Sequence, residues 1–171
     1  MFDTVLGLPT HVLVVHLAVV VVPVAAVASV LVAVRRAWLL RLGWWVVGLD
    51  AVAALTTFVA KQSGEKLLTR LDRLSDGQRA AAVQTHVDRG ADMLWYAIGL
   101  FGITLVLLLV ARHRAAATFR PRTIPPYVAP VVAVLTVVAA VLAVVQVARV
   151  GHSGSSAVWK STVDNSSARL R

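Results

Sequence analysis

Four stretches of predominantly apolar residues limit what this chain can fold into. They cover residues 12–34, 42–60, 93–111 and 127–148, and the only formal charge among them is Asp50. A helix rises about 1.5 Å per residue, so about 20 residues cross the hydrocarbon core of a bilayer, which is about 30 Å thick. The pattern therefore predicts four transmembrane helices.

The composition agrees with a membrane protein. Hydrophobic residues make up 58% of the chain and charged residues 15%, against about 25% charged in soluble domains. This excludes an ordinary water-soluble enzyme, and the absence of cysteine excludes a disulfide scaffold. Residues 1–10 contain no Lys or Arg, so we expect a permanent first helix and not a signal peptide. We predict an all-α, integral membrane four-helix bundle over residues 1–158 and a flexible polar tail over residues 159–171.

The basic residues in the connections predict an orientation. The connections at residues 35–41 and 112–126 hold seven basic residues and no acidic one, whereas residues 61–92 hold six basic and five acidic residues. Because cytoplasmic loops are enriched in Lys and Arg, we expect the two basic connections in the cytoplasm and both termini outside. We therefore expect a multi-pass protein of a plasma membrane. Its net charge of +9 follows from this topology and requires no nucleic-acid partner.

Part of the middle connection has the pattern of an amphipathic helix. Leu67, Leu68, Leu71 and Leu74 recur at helical spacing among charged residues. We expect a short helix that lies on the outer membrane surface and ends at the turn signal of residues 75–77.

Four of the five histidines fall at one predicted membrane face. His11 and His16 lie at the outer start of the first helix. His86 lies just before the third helix, and His152 lies just after the fourth. Imidazole ligates metals and haem iron, and helical bundles build such sites from facing helices. The pattern predicts either a haem b or other metal site near the outer face, or interfacial histidines without a ligand.

His16 is the first choice as an axial ligand, because ionisable groups inside an aliphatic membrane helix are costly and tend to be functional. His86 and His152 are its candidate partners, and His11 is an alternate. His11 and His16 differ by about 140° around the helix, so we do not expect them to bind one ion together. A bis-histidine haem would pair one of them with His86 or His152. Because the chain lacks cysteine, thiolate zinc, iron–sulfur clusters and covalent c-type haem are excluded.

Asp50 is the other outlier in the apolar background. A carboxylate at that depth must be paired or protonated. Thr104 and Thr136 lie at comparable depth on the third and fourth helices, so we predict that all three are buried polar groups. Two interpretations stay open: a neutral hydrogen bond between helices, or a carboxylate that relays protons.

Short motifs around the histidines point to a family. The run LPTHVLVVHLA at residues 8–18 resembles the H-P-x-x-V-H-F-P-I opening of an uncharacterised bacterial four-helix membrane family, domain of unknown function 2231. His86 and the run VGHSG at residues 150–154 resemble later histidine motifs of that family. The resemblance spans roughly residues 5–158. Some members carry Rieske iron–sulfur domains, and the family is similar to four-helix b-type cytochromes, so the resemblance implies electron transfer.

Two functions from different classes fit these features. One is a membrane cytochrome-like protein that holds haem b and exchanges electrons with quinone or a respiratory complex. The other is a non-catalytic accessory or scaffold subunit of a membrane complex. A third hypothesis is a transition-metal site with histidine ligands. The sequence contains no nucleotide-binding, metalloprotease or hydrolase motif, so we predict no catalytic residue and at most an electron carrier.

Overall fold

Four long helices make up most of the protein. The structure is a computed structural model that describes residues 4–5, 8–74, 81–116 and 124–169, with side chains at 10–69, 83–116, 124–156 and 159. The helices are α1 (Thr10–Val34), α2 (Arg36–Leu74), α3 (Ala81–Ala116) and α4 (Val128–Arg169). Ahead of α1, the two-residue strands β1 (Thr4–Val5) and β2 (Leu8–Pro9) pair antiparallel.

Each helix contains a segment that is long and apolar enough to cross a membrane. The prediction of a four-helix membrane protein is therefore confirmed. α1 and α3 each pack mainly against α2 and α4, which gives a four-sided bundle. Valine is a poor helix former in water, but a chain in lipid must pair its own backbone polar groups, and a helix does so within one segment. Outward-facing aliphatic side chains such as Val20 and Val134, 61% and 62% exposed, form the lipid-facing surface.

Three of the helices are longer than a membrane is thick. α2 has 39 residues, α3 has 36 and α4 has 42. At about 1.5 Å per residue they are about 58, 54 and 63 Å long, roughly twice the hydrocarbon core. The bundle therefore projects from the membrane on the side where α1 begins.

Two segments differ from the sequence-based expectation. The segment predicted as a separate surface helix instead continues α2 without a break to Leu74. Between residues 61 and 74 there is no proline and only one glycine, and the Leu, Lys, Glu and Arg residues there are good helix formers. The turn signal at residues 75–77 lies outside the described residues. Similarly, α4 runs to Arg169 through the segment predicted as a flexible tail, because no proline follows Pro130 to interrupt the helix.

The buried side chains form two apolar clusters with a polar layer between them. The alanine-rich cluster lies towards the start of α1 and contains Val22, Ala25, Ala26, Ala53, Met93, Leu100, Ala140 and Ala143. The leucine-valine cluster lies towards the basic connections and contains Val32, Leu39, Val46, Val47, Leu107, Leu108, Ala111 and Val132. The polar layer between them consists of Ser29, Asp50, Thr104 and Thr136, none more than 1% exposed.

Close packing and aromatic anchors define the end of the bundle near the basic connections. Gly43 lets α2 approach α3, because a Cβ at this position would lie 2.5 Å from Leu108 Cδ1. Two arginines stack on tryptophans at the same end: the Arg35 guanidinium lies 4.7 Å from the Trp38 ring centroid, and that of Arg112 lies 5.6 Å from Trp44. Such pairs are typical of the interface between a membrane and water.

Candidate functional site

A cavity of about 370 Å³ lies between the four helices at the end of the bundle where α1 begins. Its volume falls within the range of about 300–1,000 Å³ that is usual for small-molecule sites. Most of its wall is aliphatic, and all four helices contribute to it. Its polar or ionisable lining side chains are His11, Thr57, Lys61, Glu65 and His86. We call it the imidazole cavity, because two histidine rings line it.

The His11 ring is held by the neighbouring helix α2. Its Nδ1 donates to the Ala60 carbonyl oxygen at 3.0 Å and lies 3.3 Å from Ser63 Oγ. The Ser63 hydroxyl itself donates to the Ala60 carbonyl at 3.0 Å. Because a carbonyl only accepts hydrogen bonds, Nδ1 carries the hydrogen, and Nε2 of the neutral ring carries the lone pair.

The His86 ring is held by α4 in the same way. Its Nδ1 donates to the Val150 carbonyl oxygen at 3.2 Å and lies 3.3 Å from Ser153 Oγ. The Ser153 hydroxyl donates to the Val150 carbonyl at 2.9 Å. The hairpin α3–α4 thus repeats the arrangement of the hairpin α1–α2, with a histidine on the first helix and a carbonyl–serine pair on the second.

The second nitrogen of each ring is available to a ligand. Among the described residues, Nε2 of His11 and Nε2 of His86 have no hydrogen-bond partner. No described side-chain nitrogen or oxygen is both buried and without a partner, so each Nε2 must be accessible. Two imidazoles that line the same cavity therefore each have one ring nitrogen without a described partner.

A glycine lies against each ring. A Cβ at Gly64 would lie 2.9 Å from Cε1 of His11, and a Cβ at Gly154 would lie 3.0 Å from Cε1 of His86. A side chain at Gly64 would force the His11 ring to shift, and a side chain at Gly154 would require the His86 ring to move by a few tenths of an ångström. The dipeptides Ser63-Gly64 and Ser153-Gly154 therefore act as matching seats for the two imidazoles.

The remaining histidines lie away from the cavity. His16 is exposed, and its Nδ1 donates to the Val12 carbonyl of its own helix at 2.6 Å. His152 is exposed on α4, next to the Ser153 that contacts His86. His113 lies in the last turn of α3, at the opposite end of the bundle. Of the four histidines predicted as ligands, the structure brings His11 and His86 together at the cavity and leaves His16 and His152 on the surface.

Two opposite charges line the mouth of the cavity. Lys61 Nζ lies 3.9 Å from Glu65 Oε1, one helical turn further along α2, and both side chains are partly exposed. A pair at this distance and exposure contributes little to stability. Among the described residues, no group of three or more His, Asp or Glu side chains is placed to hold a metal ion, so the ring pair is the candidate donor set.

The three predicted buried polar residues all lie in the polar layer. Ser29 Oγ lies 2.9 and 3.1 Å from the two carboxyl oxygens of Asp50 and is linked to Thr104 Oγ1 at 3.4 Å. The Thr136 hydroxyl donates to the Val132 carbonyl of its own helix at 2.9 Å. Asp50 thus joins α1 and α3 through hydroxyl groups.

Sequence reasoning missed the residues that hold the rings. Ser63, Gly64, Ser153 and Gly154 had no assigned role, although the repeated Ser-Gly dipeptide on the second helix of each hairpin was a signal for them. Ser29 was also missed as the partner of Asp50, since its four-residue spacing from Ala25 and Ala33 is typical of small residues that let membrane helices pack closely.

Comparison with known proteins gives one match. Residues 7–167 match the family described as predicted membrane protein (DUF2231), which covers nearly the whole chain. No curated protein and no solved structure matches the chain.

Proposed function

The chain belongs to the DUF2231 family of predicted membrane proteins, and we propose that it binds haem b in the imidazole cavity with His11 and His86 as axial ligands. The observation that carries this proposal is the pair of rings with Nδ1 bound to a carbonyl and Nε2 available. Histidines that ligate a metal almost always donate their other ring N–H to a carbonyl or carboxylate, which fixes the tautomer and orients the ring. Both rings meet that condition in the same way.

The cavity also has the chemistry that a haem requires. Its wall is almost entirely aliphatic and so suits an apolar macrocycle. Lys61 at the mouth is a cation that would pair with the propionate groups in place of Glu65. Gly64 and Gly154 keep space beside the rings clear of side chains. Bound haem b supplies a one-electron couple, and the role of the protein is to ligate it, orient it and shield it from water.

On this proposal the protein is an electron carrier of the bacterial plasma membrane without substrate chemistry of its own. With the basic connections in the cytoplasm, as the positive-inside rule predicts, the cavity would lie near the outer face. Its electron partner is then a quinone in the bilayer or a respiratory complex beside it.

A second candidate is an accessory or scaffold subunit, and the length of the helices favours it. α2 and α4 are roughly twice as long as a membrane is thick, so the bundle projects far enough to contact a partner outside the bilayer. In this case the imidazoles are structural, and the protein purifies in mild detergent with a stable partner and without haem.

The absorption spectrum of the purified protein, expressed with ample haem, separates these candidates. We expect a Soret band and the sharp reduced bands of a six-coordinate haem. His11→Ala and His86→Ala should each lose the six-coordinate spectrum, because each removes one axial ligand. His16→Ala and His152→Ala are matched controls, since both residues are exposed histidines near the same end of the bundle.

Two results would overturn the proposal. One is a protein that contains no haem although haem was supplied during expression. The other is a haem spectrum that survives both His11→Ala and His86→Ala but is lost in His16→Ala or His152→Ala. Elemental analysis of the same samples distinguishes iron from copper or zinc held by the same rings.

A further inference from the structure

The polar layer contains one carboxyl group, that of Asp50, which does not line the imidazole cavity. Asp50 is 1% exposed and lies about midway along the apolar part of α2. Its described hydrogen-bond partner is the Ser29 hydroxyl, and among the described residues no Lys, Arg or His forms an ion pair with it. A carboxylate without a counter-ion is so costly in the hydrocarbon region that the group takes up a proton instead.

Among the residues that the structure describes, no other charged side chain lies in the polar layer. The neighbouring helices present only hydroxyl groups to the layer, from Ser29 on α1, Thr104 on α3 and Thr136 on α4. The other titratable side chains within the four apolar stretches are His16, which is exposed, and two tyrosines. Of these, Tyr96 packs against the alanine-rich cluster, and Tyr127 is exposed at the start of the fourth stretch.

The two sides of the polar layer differ in the size of the buried side chains that close them. On the cavity side the alanine-rich cluster has five alanines among its eight residues. On the other side the leucine-valine cluster has one alanine and seven larger aliphatic side chains. A chain of water molecules would have less side-chain bulk to displace on the alanine-rich side, which is the side of the cavity.

A polar residue marks the route between the cavity and Asp50. Thr57 lines the cavity, is buried, and lies seven residues after Asp50, on the same face of α2 about 10 Å further along. Its hydroxyl donates to the Ala54 carbonyl at 2.8 Å, which leaves its oxygen able to accept from a water molecule. The residues between these two positions on that face include Ala53 and Ala54.

The internal repeat indicates that packing alone does not require the carboxyl group. Ser29 follows His11 by 18 residues, and Thr104 follows His86 by the same number, so the two hydroxyls are equivalent. Asp50 precedes Ser63 by 13 residues, and the equivalent position before Ser153 is Ala140. The second hairpin places an alanine where the first places an acid.

We propose that Asp50 is a proton-binding site that exchanges its proton with water in the imidazole cavity past Thr57. The ligand is a single proton, held on the carboxyl group at neutral pH and shared with the hydroxyls of Ser29 and Thr104. The site does not depend on haem binding, and its test does not use haem.

Infrared spectroscopy of the full chain in lipid tests this site. The wild type should show the C=O stretch of a protonated carboxylic acid at neutral pH, and Asp50→Asn should lack it. On transfer to D₂O the band should shift as the proton exchanges. Thr57→Val removes the hydroxyl on the route and should slow the exchange about tenfold, which is the loss expected for one hydrogen bond.

Thr56→Val is the matched control. Thr56 is also buried and also donates to a carbonyl of its own helix, but it does not line the cavity, so exchange should keep the wild-type rate. A spectrum without the carboxylic acid band at neutral pH overturns the proposal. So does a band that does not exchange in D₂O, or equal exchange rates in Thr57→Val and Thr56→Val.

Discussion

The glycine that seats each imidazole gives the sharpest test of the site geometry. In Gly64→Ala the new Cβ lies 2.9 Å from Cε1 of His11, and an ordinary contact begins at 3.4 Å. The ring must therefore withdraw by up to about 0.5 Å, which distorts the 3.0 Å hydrogen bond from its Nδ1 to the Ala60 carbonyl. The substitution thus disturbs the orientation of His11, one of the two proposed ligands, without removing it.

The expected effects on stability and on ligand binding differ in size. Loss of the hydrogen bond costs about 0.5–1.5 kcal/mol, whereas alanine is about 1 kcal/mol more favourable than glycine inside a helix. The free energy of unfolding should therefore change by less than about 1 kcal/mol. Disturbing a group that orients a metal ligand typically lowers affinity about 10–100-fold, or about 1.4–2.7 kcal/mol. Haem affinity should fall by that factor while the fold is kept.

Two measurements are made on the same sample. The rate of haem transfer to an excess of a haem-binding acceptor reports haem affinity, and a thermal unfolding curve reports the stability of the fold. Gly154→Ala should behave like Gly64→Ala, because its Cβ would lie 3.0 Å from Cε1 of His86. Gly151→Ala is the control, since nothing lies within 4 Å of a Cβ at that position. If Gly64→Ala and Gly154→Ala release haem no faster than Gly151→Ala, the rings are not seated as described.

Three further predictions concern the two seats, the polar layer and the helix contacts. Ser63→Ala should raise the rate of haem loss, measured by the same transfer assay, less than Gly64→Ala does. The reason is that Ser63 Oγ, at 3.3 Å, is the more distant of the two contacts of His11 Nδ1. Asp50→Asn should have a free energy of unfolding within about 1 kcal/mol of the wild-type value, because an amide keeps the hydrogen bond to Ser29. Asp50→Leu should lower the free energy of unfolding by about 1–3 kcal/mol, because it leaves a buried hydroxyl without its partner. Equal unfolding curves for the two variants would refute this prediction. Gly43→Ala should destabilise the fold by about 1–3 kcal/mol, since the new Cβ meets the fully buried Leu108, while Gly48→Ala has nothing within 4 Å and should be neutral or stabilising in thermal unfolding.

The sequence predicted the membrane fold well because one physical constraint dominates it. A helix in lipid must be about 20 apolar residues long, and four such stretches stand out from their surroundings. The ends of the helices were harder to predict. Outside the hydrocarbon core both polar and apolar residues are allowed, so nothing in the pattern separated a surface helix at residues 67–74 from a continuation of α2.

The candidate site was predicted in part, for a geometric reason. Topology places His11, His16, His86 and His152 at one face, and the sequence shows that. Which of them face the cavity depends on how each helix is rotated in the bundle. In an all-apolar helix such as α1 the pattern carries almost no information about rotation, since every face is hydrophobic. The sequence therefore favoured His16 as a ligand because of its predicted depth in the membrane, although its ring lies on the exposed face of α1.

The spin state of the ferric protein tests the central claim most directly, because it counts the strong axial ligands. Electron paramagnetic resonance of the oxidised, haem-loaded chain should show a low-spin signal of bis-imidazole type at one haem per chain. It should convert to high spin in either His11→Ala or His86→Ala and stay unchanged in His16→Ala. A high-spin signal in the wild type, or a low-spin signal that persists in both His11→Ala and His86→Ala, would contradict the assignment of these two rings as the ligand pair.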